Sequence, residues 1–229
     1  MTRFRSANND KIQVIMMADS KPWLVDEASS AEQRHAPATM RNRDAIVEIL
    51  RDILPDTGTI LEIASGTGEH AVYFGQRFAD LIFQPSDPDP ECCQSIAAWT
   101  KREAMANILP PKQLDAQAPE WDVPQPAAIL CINMVHISPW ESSIGLMDKA
   151  GKLLEPGAPL YLYGPYLRKD VETAQGNLDF ERSLKSRDLR WGLRDVADMD
   201  ALAARNGFSR ESLIEMPANN ISLIYRKQA

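Results

Sequence analysis

The stretch LEIASGTGEH, Leu61 to His70, joins an apolar β-branched run to a helical pattern through a turn built of Ala64, Ser65, Gly66 and Gly68. Gly66, Gly68 and Ala71 fit G-x-G-x-x-G/A, a spacing in which missing side chains let a ligand touch the backbone and the next helix start offers unpaired N–H groups. That spacing suits a nicotinamide dinucleotide and S-adenosylmethionine equally, since both set an adenosine ribose against an acid ending the next strand, where Asp87 stands. Glu62 separates the two. It places a carboxylate inside an apolar strand, which is costly unless paired; such an acid repels a pyrophosphate and attracts an ammonium or a sulfonium. Glu69 beside the turn adds to this preference for a cationic ligand. Alternatively, Glu62 only orders the turn by accepting backbone N–H bonds. Asp115, in LDAQAPEW, either accepts from an adenine amino group or is a solvated loop aspartate.

A second set of residues suits an acceptor beside that ligand. In NMVHISPW, Asn133 can bond to substrate or cofactor, and His136 either acts as a general base or only bonds the loop backbone. Trp140, Tyr163, Tyr166 and Trp191 can wall a pocket around a sulfonium or serve as core and lid packing. His35, with Arg41 and Asn42, folds over the site as a lid or caps a helix. Asn177, Asp179, Arg187, Asp188, Arg194, Asn219 and Asn220 form a polar set in which an arginine clamps a carboxylate or phosphate, or makes a salt bridge. His70 is expected on the helix face opposite Ala71 and Phe74, at the surface or behind the site. The scattered histidines show no metal-ligand spacing, so no metal is expected.

The elements that must position these residues alternate. Apolar positions from Arg43 to Leu54 recur at helical spacing; TILEIA is a strand, and Ala71, Phe74, Gly75 and Phe78 share a helix face. LIFQPSD is a strand ending in Asp87, a helix covers Cys93 to Lys101, and AAILCINMV is a further strand. A helix over Ile144 to Leu154 and the turn EPGAP lead to the strand LYLYGP. This order predicts a doubly wound parallel sheet. At the end ALAARNGF is a helix, and RESLIEMP and NNISLIYRK are strands separated by so few residues that they must form an antiparallel hairpin. Dinucleotide-type dehydrogenases do not usually close their sheet this way.

The blocks LEIASGTGEHA, FQPSD, CINMVHISPW, LYLYGPY, SLKSRDLRWGLRD and MPANN resemble the family catalogued as domain of unknown function 938, which includes methyltransferase-like protein 26. The resemblance runs from about His35 to the C-terminus. Met40 departs from it, standing where relatives are expected to carry a polar residue, at the entrance of the site. The resemblance implies an α/β Rossmann-like class I methyltransferase fold: a mostly parallel seven-stranded sheet with an antiparallel C-terminal hairpin. It also implies S-adenosylmethionine as cofactor, with the acceptor unassigned.

Composition limits the partners. The 229-residue chain carries a net charge of −7 with dispersed lysines and arginines, which gives no basic stripe for nucleic acid. Its three cysteines make no disulfide framework, and no stretch reads as a leader or a membrane span. A cytoplasmic protein acting on a small molecule, without nucleic acid or membrane, is expected; its oligomeric state is left open. Residues 1 to 30 read as an N-terminal arm or lid and 31 to 229 as one S-adenosylmethionine-dependent methyltransferase-like domain. Besides a methyltransferase, the residues leave open a NAD-type oxidoreductase and a non-catalytic module that binds S-adenosylmethionine.

Overall fold

Apolar side chains alternate between two faces along the central strands, and each face is covered by its own set of helices. A computed structural model describes residues 33–229; the arm expected over residues 1 to 30 lies outside the described residues. In chain order the strands are β1 (Gly58–Ile63), β2 (Leu81–Asp87), β3 (Lys112–Gln113), β4 (Ala128–Ile132), β5 (Pro159–Gly164), β6 (Tyr166–Leu167), β7 (Arg194–Asp195), β8 (Phe208–Met216) and β9 (Asn220–Lys227). The helices are α1 (Pro37–Ile53), α2 (Glu69–Arg77), α3 (Pro90–Arg102), α4 (Trp140–Leu153), α5 (Gln175–Arg187) and α6 (Val196–Arg205).

Seven strands form one sheet in the order β3-β2-β1-β4-β5-β9-β8. The first five run parallel, and β9 is antiparallel to both β5 and β8. The expected hairpin is present; its turn, Pro217–Asn219, puts Ala218 and Asn219 in the left-handed region. On one face Ile129 and Cys131 of β4 pack with Leu146 and Met147 of α4 and Met199 of α6. On the other, Leu130 and Ile132 pack with Ile46 and Leu50 of α1 and Phe74 of α2. Glu62 follows the parity of Ile60, so its carboxyl belongs to the face covered by α1 and α2.

Several elements differ from the sequence reading. α1 begins at Pro37 rather than Arg43, because a proline suits the first helical turn while that turn has no apolar face to announce it. α4 likewise begins at Trp140 rather than Ile144. The strand read through Val135 stops at Ile132: Asn133 adopts φ +64° and Met134–His136 forms a 3-10 turn. β6, β7 and α5 have no counterpart among the elements the sequence predicts. β6 and β7 pair as a separate two-stranded clip that closes the excursion holding α5. Asn177 of α5 donates to the Asn219 carbonyl at 3.0 Å, which ties this excursion to the hairpin turn.

Candidate active site

The sheet reverses its winding between β1 and β4, and open sheets of this kind hold ligands beyond the carboxyl ends of the strands at that point. A cleft of about 680 Å³ lies there, lined among others by Glu62, Gly66, Asp87, Asp115, Asn133 and Trp191. Residues distant in the chain meet in it because β1, β2 and β4 all end on the same edge.

Glu62 is 2% exposed, and its Oε2 has no hydrogen-bond partner in the protein. Burial, opposed by the neighbouring Ser65 hydroxyl and reinforced by the charge of Asp87, pushes its carboxyl up to about 7. The carboxylate that could merely have ordered the turn therefore leaves one oxygen unused on the cleft wall. Asp87 accepts from the Gly66 N–H at 2.9 Å through Oδ2 and from the Asp89 N–H at 3.0 Å through Oδ1. Burial still raises it to about 6, against the pull of those two amides.

The two glycines of the turn divide their work. A Cβ on Gly66, at φ +59°, would meet nothing within 4 Å, so its missing side chain opens the cleft. On Gly68 a Cβ would lie 2.8 Å from the Ile96 Cα, so this glycine lets α2 pack on α3 and does not line the cleft. Ala64 and Ser65 do line it, and the Ser65 N–H donates to the Ser86 carbonyl at 2.8 Å, pinning the turn to β2. Asp115 lines the cleft too; its Oδ1 accepts from the Gln117 N–H at 2.8 Å.

Other expectations are corrected. Glu69 does not line the cleft: it accepts from the Ala36 N–H at 2.6 Å and the Thr67 hydroxyl at 3.0 Å, and lies 3.1 Å from the His35 Nδ1. His35 accordingly anchors the approach to α1, edge-on to Trp99, rather than reaching the ligand space. His70 is neither at the surface nor behind the site. It lines the cleft, with Nε2 2.9 Å from the Asn42 Oδ1, and burial lowers it to about 3. Its place in the first turn after the glycines was the available signal.

Asn133 lines the cleft, where its backbone N–H donates to the Tyr163 carbonyl at 2.8 Å. His136 turns away from it. The ring is fully buried edge-on to Tyr166, neither nitrogen has a partner, and a Cβ on Gly164 would collide with its Nε2. Burial, followed by the charge of Arg194, holds the imidazole neutral by lowering it to about 3. A base must reach the proton it takes, and this ring does not face the cleft.

Trp191 is the one member of the expected aromatic wall that lines the cleft; Trp140, Tyr163 and Tyr166 do not. Arg194 spends its guanidinium on the Val135 and Ser138 carbonyls, at 3.0 and 2.7 Å, fastening β7 to the loop after β4. Asn219 contributes its carbonyl to Asn177 and stays outside the cleft. Arg41 and Arg187 do line it. Met134, Ile137, Ser138 and Ser142 are lining residues the sequence reading missed: Met134 reads as the end of the strand, Ile137 and Ser138 carry no chemical signal of their own, and Ser142 lies in α4 ahead of its expected start.

A family model described as a protein of unknown function, DUF938, matches residues 33–227. Among solved structures, the chain superposes on the mitomycin 7-O-methyltransferase MmcR with a TM-score of 0.70 at 13% identity, over 83% of this chain and 54% of that one. It superposes on CalO1, a methyltransferase in calicheamicin biosynthesis solved with SAH, with a TM-score of 0.64 at 12% identity, over 78% and 52%. The chain thus spans about half the length of these two. A candidate methyltransferase of Bacillus halodurans is matched over its full length, 100%, with 82% of this chain, a TM-score of 0.66 and 14% identity. The fold is the Rossmann-like class I methyltransferase fold.

Proposed function

The chain belongs to the DUF938 family, and from that premise and the cleft's geometry we propose that it is an S-adenosylmethionine-dependent methyltransferase acting on a small-molecule acceptor. The observation that carries this reading is the buried Glu62 Oε2, unpartnered within the protein on the wall of a cleft at the winding reversal. A buried carboxylate oxygen without a protein partner suits a cationic ligand and would repel a pyrophosphate, so it argues against a nicotinamide dinucleotide.

S-adenosylmethionine, when bound, supplies a methyl group already activated by its sulfonium. Glu62 would hold the ammonium end, Asp87 the ribose hydroxyls and Asp115 the adenine amino group, with the turn from Ala64 to Gly66 in backbone contact. Asn133, held by its own N–H to Tyr163, is the polar group between the cofactor and acceptor sides. Met134, Ile137 and Trp191 would exclude water and orient the acceptor, and such positioning supplies much of the catalysis a displacement of this type needs. His70 is already hydrogen-bonded to Asn42, and His136 faces the core. Among the described residues neither histidine therefore offers the cleft a free base, which favours an acceptor that needs none from them.

The test is isothermal calorimetry of the full chain with S-adenosylhomocysteine, together with mass spectrometry of the denatured, purified protein. Binding in the micromolar range that drops at least about tenfold in Asp87→Ala supports the reading. Absence of binding and of co-purified ligand removes it. Binding without turnover across a broad acceptor panel would indicate the non-catalytic module instead.

A further inference from the structure

The cleft is divided by charge along the order of its strands. Its four carboxylates, Glu62, Asp87, Asp89 and Asp115, follow from β1, β2 and β3. Its two arginines stand on the other side of the winding reversal. Arg41 lies near Tyr163 at the end of β5, where its charge favours the phenolate against the burial that raises that tyrosine. Arg187 ends α5, and the segment after it is held to the loop beyond β4 by the Gly192 N–H, which donates to the His136 carbonyl at 3.0 Å.

Most other arginines of the fold are engaged: Arg34 with Glu91, Arg168 with Glu215, Arg190 with Asp188, and Arg226 with Glu211. Among the described residues neither Arg41 nor Arg187 forms an ion pair, and the one side-chain hydrogen bond of Arg187 is to the Ser183 hydroxyl of its own helix at 3.4 Å. In a chain of net charge −7, two arginines left without acids on one side of one cleft are a cationic site within an acidic molecule. Trp191, four residues beyond Arg187, adds a planar apolar wall on the same side.

We propose that the β4–β5 side of the cleft binds a small organic anion, with Arg41 and Arg187 holding its carboxylate or phosphate and Trp191 packing against its planar body. Guanidinium forks suit both oxyanions, and an acceptor that arrives ionised fits a cleft side without a carboxylate to deprotonate it. That this anion is the methyl acceptor rests on the methyltransferase reading; the anion site itself does not.

Calorimetry on the full chain, with and without saturating S-adenosylhomocysteine, uses three probes: 2-naphthoate, its neutral amide 2-naphthamide, and phenyl phosphate. At least one anion is expected to bind about tenfold more tightly than the amide. The naphthoate and phosphate arms decide which oxyanion is preferred. The preference should fall with added salt, because both arginines are exposed, and should vanish in the Arg41→Gln/Arg187→Gln double variant. Circular dichroism and melting of that variant, together with its unchanged affinity for S-adenosylhomocysteine, show that the fold and the other half of the cleft are intact. Binding of neither naphthoate nor phenyl phosphate more tightly than naphthamide, or a preference that survives the double substitution, overturns the proposal. Failure of the wild type to bind S-adenosylhomocysteine while the anion preference persists overturns the methyltransferase reading alone.

Discussion

Glu62 is an acid that the fold keeps out of water, and this has a measurable pH signature. Unfolded, it ionises near its ordinary value of 4.5; folded, only near 7. The folded state holds the proton across that window, so this residue's contribution to stability is full below about 4.5 and is lost as pH rises through 7. The loss is on the order of 3 kcal/mol, or roughly 5–10 °C in Tm for a domain of this size. Melting Glu62→Gln and wild type in parallel, both free of ligand, should show the difference in Tm moving in the variant's favour from pH 5 to pH 8. A constant difference would mean that Glu62 is ionised throughout. A cationic ligand pulls the same carboxyl down and releases its proton, so affinity for S-adenosylhomocysteine should rise up to about tenfold between pH 6 and pH 8 in the wild type. Glu62→Gln should bind weakly and show no such rise.

The loop that carries Asp115 is shaped by the element behind it. Gly145, inside α4, has its Cα against that loop, and a Cβ there would collide with the Ala116 carbonyl oxygen and lie 3.2 Å from the Gln117 Cα. Glycine to alanine inside a helix ordinarily adds about 0.5–1 kcal/mol of stability. Here the sign should reverse, with Gly145→Ala losing about 1–3 kcal/mol because backbone must move, and with weaker binding of S-adenosylhomocysteine as Asp115 shifts. Chemical denaturation and calorimetry of this one variant measure both; unchanged or increased stability would show that the loop yields at no cost. The clip formed by β6 and β7 works on the same principle, since Arg194 fastens it to the Val135 and Ser138 carbonyls and brings Trp191 to the cleft.

A ligand held by groups from β1, β2, β3 and β4 ties the two halves of the sheet together and should stabilise the molecule against unfolding. At a hundred times its dissociation constant, S-adenosylhomocysteine adds about 2.7 kcal/mol by mass action, or roughly 5–10 °C in Tm. NADH at the same concentration should shift nothing, because Glu62 on the wall beside the glycine turn would repel its pyrophosphate. A thermal-shift titration with the two ligands checks this, and a shift with NADH alone would restore the oxidoreductase reading. None of the helices among the described residues is long and apolar enough to cross a membrane.

The alternation of strands and helices, the closing hairpin and the motif of Glu62, Gly66 and Asp87 were legible in the chain because each is written in local periodicity, turn chemistry or short spacing. What stood outside that code depends on contacts between distant segments. Gly68 proved to be a packing residue because α3 happens to cross α2 at Ile96. Glu69 was consumed by the backbone before α1, and Arg194 by two carbonyls after β4. His136 had the right type and the right loop for a base, yet a left-handed Asn133 turned the chain and buried the ring. The type of ligand proposed for the cleft rests on residue chemistry, which sequence carries. Which side chains line the cleft follows from how chain segments cross in space, and periodicity says nothing about that.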